Sequence, residues 1–280
     1  MSMITRVLRL HGAVALAAAF ASAAAAGAQP ATVYVDELTS PELRQLVASG
    51  TTIVLIPIGG TEQNGPHMVL GKHNVRVHVL AGEIARRLGN AVVAPVVAYV
   101  PEGPVLPTGH MRYAGTISVP DAAFDAVLAG AARSFRQHGF RAIYFLGDHG
   151  GYQKNEERVA AALDREWKDD PSFRVHALTD YYRAAEAFDD DLRQRGFGDA
   201  QIGTHAGLAD TALALAVDPS LVRADRLGRP PTPGDGTRGD PRQATAALGD
   251  IGVRHIVDAS VAAIRRFEQN AATRIQPAHK

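Results

Sequence analysis

The sequence predicts an α/β fold, a largely parallel sheet with helices on both faces. Two observations carry that prediction. Apolar runs rich in β-branched residues recur at Thr51–Ile58, Ala91–Val100, Ala142–Leu146 and Phe173–Leu178. Each is short, nearly continuous and bounded by Gly, Pro or Asp, as expected of strands buried on both faces. Between the runs lie segments whose apolar residues have helical spacing. Strand and helix therefore alternate, the order that builds parallel sheets.

Taken in order, residues 1–28 read as a secretory signal peptide rather than as part of the fold. Arg6 and Arg9 make a positive n-region, Ala13 to Ala21 an apolar core, and Ala26-Gly27-Ala28 a small-residue site with cleavage expected after Ala28. The apolar core is too short to serve as a membrane anchor. The expected location is therefore periplasmic or secreted, with no membrane association after cleavage. Residues 29–280 form one expected domain, since about 250 residues can bury a full core.

The first helical segment places Val77, Leu80, Ala81, Ile84 and Leu88 on one face. The second places Phe124, Val127, Leu128, Ala131 and Phe135 together, with Asp121 set to cap its start. Val159, Ala162, Leu163 and Trp167 mark a third, and Val253, Ile256, Val257, Val261, Ile264 and Phe267 a long final helix. Residues 222–245 are too rich in Pro and Gly for regular structure, and a loop of that length is either disordered or functional.

Composition excludes several functions. With no cysteine, the chain has neither a thiolate metal site nor a cysteine nucleophile. Arg6 and Arg9 leave with the signal, so 29 Lys and Arg become 27 against 29 Asp and Glu, a formal charge of −2. Such a balance attracts neither nucleic acid nor anionic lipid.

In open α/β sheets ligands collect beyond the carboxyl ends of the strands. "GGTEQNGPHMVLGKHN" (Gly59–Asn74) follows the first strand and "GDHGG" (Gly147–Gly151) the third. Histidines and carboxylates concentrate there and in two further places: Glu62 to His73, His110, Asp148-His149, and His205 to Asp210. Imidazole and carboxylate are the expected ligands of Zn²⁺ or Mn²⁺. "THAGLAD" opens a helix, with His205 just before its first turn and Asp210 about one turn inside.

In their order these segments resemble the creatininase (creatinine amidohydrolase) family. Its pattern runs E-x-H-G-P-H-L-P-L-G-T-D, G-T-I-S, N-G-H-G-G-N and H-A-G-x-x-E-T. Here it stands as "EQNGPHMVLGKH", "GTISV" (Gly115–Val119), "GDHGGY" and "HAGLADT", with "GDPRQATAALG" (Gly239–Gly249) resembling a late segment. The resemblance implies a three-layer α/β/α fold, assembly into a homo-oligomer, and metal-dependent hydrolysis of a C–N bond in a small, possibly cyclic amide.

Carried over by position, it implies metal ligands at Glu62, His149 and Asp210 and an acid/base role for His205; His67 and His110 also match family positions. Two positions depart: the family's His falls on Asn64 and its bridging Asp on His73. A carboxylate bridges two cations, whereas a neutral imidazole binds one. The expected set is therefore Glu62, His73, His149 and Asp210 around one Zn²⁺ or Mn²⁺, rather than two, with Asn64 and Asp148 as further candidates. Metal-activated water would attack the carbonyl, His205 would serve as acid/base, and Glu62 or Asp210 would orient the water or hold the metal. Two alternatives stay open: a lactone or cyclic-ketone sugar as substrate, or an inactive family member that binds a small molecule.

Overall fold

A computed structural model describes residues 32–170 and 172–275; the expected signal segment and its cleavage point lie outside them. Four parallel strands, β1 (Ile53–Ile58), β2 (Ala91–Val93), β3 (Ala142–Gly147) and β4 (Arg174–Ala177), stand in the order β2-β1-β3-β4. Between and after them come α1 (Ser40–Ala48), α2 (Lys72–Leu88), α3 (Asp121–Gln137), α4 (Gln153–Glu166), α5 (Thr179–Gln194), α6 (Asp199–Ile202), α7 (Leu208–Val217), α8 (Ala224–Leu227) and α9 (Ala246–Ile275). No helix among the described residues is long and apolar enough to cross a membrane.

The strands are apolar on both faces because both faces are covered. Ile53, Leu55, Tyr144 and Leu146 pack against α2, α5, α7 and α9. Val54, Ile56, Ile58, Ile143 and Phe145 face α1, α3 and α4. This is the expected three-layer α/β/α arrangement, and each such side chain contributes about 1.5–3 kcal/mol through burial.

Three boundaries differ from the expectation. The second run forms a regular strand only to Val93: the Ala94 N–H still donates to Leu55 O at 2.8 Å, but the chain then slips by one residue around Pro95, and the next bond to β1 comes from the Val97 N–H to Pro57 O at 2.9 Å. Asp121 is the first residue of α3, not its cap, and accepts from Asn155 of α4 at 3.3 Å. The final helix runs a full Ala246–Ile275.

The topology decides where a site can form. From β1 the chain moves to β2 on one side, then crosses back to β3 on the other. The carboxyl ends of β1 and β3 flank the resulting crevice, the usual place for a ligand in such sheets. The segment carrying Glu62 leaves β1 there, and Asp148 follows β3 directly.

Candidate metal centre

Glu62 lies at the centre of this crevice with its side chain fully buried. Its Oε1 is 2.9 Å from His73 Nε2 and 3.7 Å from His205 Nδ1; its Oε2 is 2.7 Å from His110 Nδ1 and 3.9 Å from His149 Nε2. The imidazoles stand in two edge-on pairs, His73 with His149 (5.2 Å between centroids) and His110 with His205 (4.5 Å). Glu62–His73–His149 and Glu62–His110–His205 each bring ligand atoms within 4.8 Å of one another.

Burial works against a charge on Glu62, but the imidazoles of His110 and His73 and the charge of Lys72 outweigh it and hold the carboxyl well below the usual range. Despite their short separation, Glu62 Oε2 and His110 Nδ1 are not aligned as donor and acceptor, and both buried atoms lack a hydrogen-bond partner. An anionic oxygen left unpaired among imidazole nitrogens fits a divalent cation of borderline softness.

Each ring is aimed by its surroundings. His73 is in the first turn of α2, and its Nδ1 lies 2.7 Å from Asp148 Oδ2. Asp148 also accepts from Arg76 Nε at 2.8 Å and from Tyr181 Oη at 2.7 Å. Burial and Lys72 disfavour a charge on His73, yet the hydrogen bonds to Asp148 and Glu62 prevail and raise its pKa. His205 precedes α7 across Ala206, which has a left-handed φ of 52°, rare for a residue with a side chain and a mark of imposed geometry. His205 Nε2 lies 2.8 Å from the carbonyl of Gln63, so that nitrogen carries the proton and Nδ1 turns its lone pair to the crevice. Burial and Lys72 bring the His205 pKa down to about 4. Burial and His73 bring that of His149 down to about 3. Both rings are neutral near pH 7, the state that binds metal.

The remaining candidates stand elsewhere. Asp210 is not among the grouped ligands: it is ion-paired to Lys72, accepts from Arg76 Nη1 at 2.9 Å, and receives the Ala206 N–H at 3.0 Å. Its carboxyl lies well below the usual range despite burial, chiefly through Lys72 and Arg76. Asp148 supports His73 rather than facing the grouped atoms. Asn64 donates to the carbonyls of Glu62 and Val69, both at 3.0 Å, and so fastens the loop. His67 meets Thr211 Oγ1 at 3.0 Å, away from the rings.

Sequence reasoning missed Lys72 and Glu102. Lys72 is 1 % exposed and its Nζ is 3.9 Å from Glu62 Oε1. The Glu102 side chain is 2 % exposed, and burial together with the Glu62 charge pushes its pKa up to about 8. A lysine inside a metal-ligand motif was the available signal for the first; nothing in the local sequence marks Glu102.

The Pro- and Gly-rich loop is ordered over the site. The N–H of Thr204 donates to Arg238 O and that of Arg238 to His205 O, both at 2.8 Å. Gln63 Nε2 donates to Gly236 O at 3.1 Å, and Tyr113 Oη to Gly234 O at 3.1 Å. A cavity of about 350 Å³ opens beside the rings, walled by His73, His149, His205, Tyr182 and Glu186.

Residues 36–264 match the family described as Creatininase: Creatinine amidohydrolase. The chain is 30% identical over 253 residues to a mycofactocin precursor peptide peptidase of Mycolicibacterium smegmatis, covering 82% of this chain and 90% of that one. It is 24% identical over 258 residues to a creatinine amidohydrolase of Pseudomonas putida, covering 84% and 96%. A solved mutant creatininase of Zn–Zn type superposes with a TM-score of 0.69 at 27% identity, covering 85% of this chain and 98% of that one.

Proposed function

The chain belongs to the creatininase family of metal-dependent amidohydrolases, and on that premise we propose that it hydrolyses a C–N bond in a small, possibly cyclic amide. The observation that supports this reading is the buried Glu62 carboxylate with an unpaired oxygen among four imidazoles. Glu62, His73 and His149 would hold one Zn²⁺ or Mn²⁺. When bound, such a cation polarises a carbonyl and lowers the pKa of water toward neutrality.

The chain's own groups then define the proton path. His205 Nδ1 is unprotonated near pH 7 and faces Glu62, so it accepts the proton of the attacking water and returns it to the departing nitrogen. Gln63 fixes the ring through Nε2. Asp148, Arg76 and Tyr181 keep His73 directed at Glu62. Lys72, ion-paired to Asp210 and 3.9 Å from Glu62, places a fixed cation beside the centre and favours one metal over two. The same reading carries export, supported by Arg6, Arg9 and Ala26 to Ala28, and a homo-oligomeric assembly, supported by the family resemblance alone.

The test is elemental analysis of protein purified without chelators, followed by a screen of small amides. About one zinc or manganese per chain with turnover is expected. His205→Ala should keep the metal and lose about 10²–10⁴-fold in kcat, the range for a lost acid/base group. Protein that takes up no cation would overturn the proposal.

A further inference from the structure

The geometry points to Glu102 as the residue that positions His149 for the cation, in a carboxylate–imidazole–metal relay. The inference rests on the metal-centre reading above and concerns a residue outside every motif of the sequence.

Glu102 Oε1 is buried and has no hydrogen-bond partner. Its place is built rather than accidental. The Glu102 N–H donates to Ser118 Oγ at 3.0 Å, and Ser118 Oγ donates to Gly103 O at 2.6 Å, which pins the segment to the one following Gly115. Gly60 makes room for the carboxyl, since a Cβ there would stand 2.9 Å from Glu102 Oε1. His149 Nδ1 lies 3.8 Å from that oxygen.

His149 is caught in the wrong tautomer for a ligand. Its Nδ1 accepts the Gly151 N–H at 3.2 Å, so the ring proton sits on Nε2, the nitrogen turned toward Glu62. Binding a cation through Nε2 requires the ring proton on Nδ1, which then repels the Gly151 N–H and needs an acceptor. Glu102 Oε1 is the unpartnered acceptor beside it. A small rotation of the ring closes the gap and satisfies both atoms, the arrangement that commonly fixes metal-bound histidines.

The experiment measures Zn²⁺ affinity by calorimetry with the purified mature protein, its Glu102→Ala and Glu102→Gln variants, and Glu166→Gln as a distant control. Glu102→Ala should weaken binding about 10–100-fold, the usual effect of losing such a partner. Glu102→Gln, which keeps an acceptor oxygen and the volume, should fall between Ala and wild type, and the control should match wild type. Ring ¹⁵N shifts of His149 give a readout that general destabilisation does not move: the proton should pass from Nε2 to Nδ1 on zinc loading in wild type. If Glu102→Ala does not fold, the Gln variant and the ring shifts decide. Equal affinity in all variants, or an Nδ1 that stays unprotonated in the zinc form, would overturn this inference and leave the metal centre standing. Wild-type protein that binds no zinc would overturn both.

Discussion

Replacing Lys72 by Met removes one charge and keeps most of the methylene stem. In wild type the buried Lys72 Nζ is ion-paired to the partly exposed Asp210 and lies 3.9 Å from the buried Glu62 Oε1. Unit charges at about 4 Å, in an effective dielectric of about 20, interact by about 4 kcal/mol. Removing one partner of a buried pair generally costs about 3–5 kcal/mol. Asp210 keeps Arg76 and the Ala206 N–H, so the loss should lie near the lower end. Metal-free Lys72→Met should therefore lose about 3 kcal/mol in urea denaturation. The same deletion leaves Glu62 and Asp210 short of positive charge, so added Zn²⁺ or Mn²⁺ should stabilise the variant more than wild type and raise metal content from one toward two per chain. A variant within about 1 kcal/mol of wild type, below the range for a broken buried pair, would refute the reasoning. Unchanged metal content would refute the idea that Lys72 stands where a second cation would bind.

Other expectations follow from the same geometry. His205 has its pKa lowered from 6.5 to about 4, so the unfolded chain binds a proton that the folded ring refuses. Its contribution is present above pH 6.5 and is lost as pH falls toward 4, about 3 kcal/mol at most. Acid titration of the metal-free protein should show that limb, and His205→Ala should flatten it. Gly236→Ala forces a side chain onto a φ of +94° and sets its Cβ 1.9 Å from Gln63 Oε1. It should cost about 1–3 kcal/mol by backbone strain and lower kcat through a displaced Gln63; unchanged kcat would separate the loop from catalysis. His73, with its raised pKa, must give up a proton to bind metal, so affinity measured by competition should rise with pH through neutrality, and His73→Asn should remove most of that dependence.

Much of the fold was legible because burial on two faces leaves a linear trace. A sheet covered by helices demands apolar runs such as "IVLIPI", and amphipathic helices demand a period near 3.6, whatever the residues touch. That Glu62, His73 and His149 come together was legible for a related reason: their segments leave β1 and β3 at the edge where ligands gather. Boundaries were less so, since β2 ends at a one-residue slip between Ala94 and Val97 that no apolar pattern records.

What the sequence by itself determined is the alternation of strands and helices, the sheet edge that carries the site, and the chemical type of its donors. Only the tertiary structure decided how those donors pair. Gln63 and His205 meet across 142 positions and Asp148 and His73 across 75, and no local period records such contacts. Packing turned Asp210 to Lys72 and Arg76 and left it out of the grouped ligands. It also buried Glu102 without a partner beside His149. Charge type is written in the chain, but in a low-dielectric interior the partner a charge finds depends on loops closing in three dimensions.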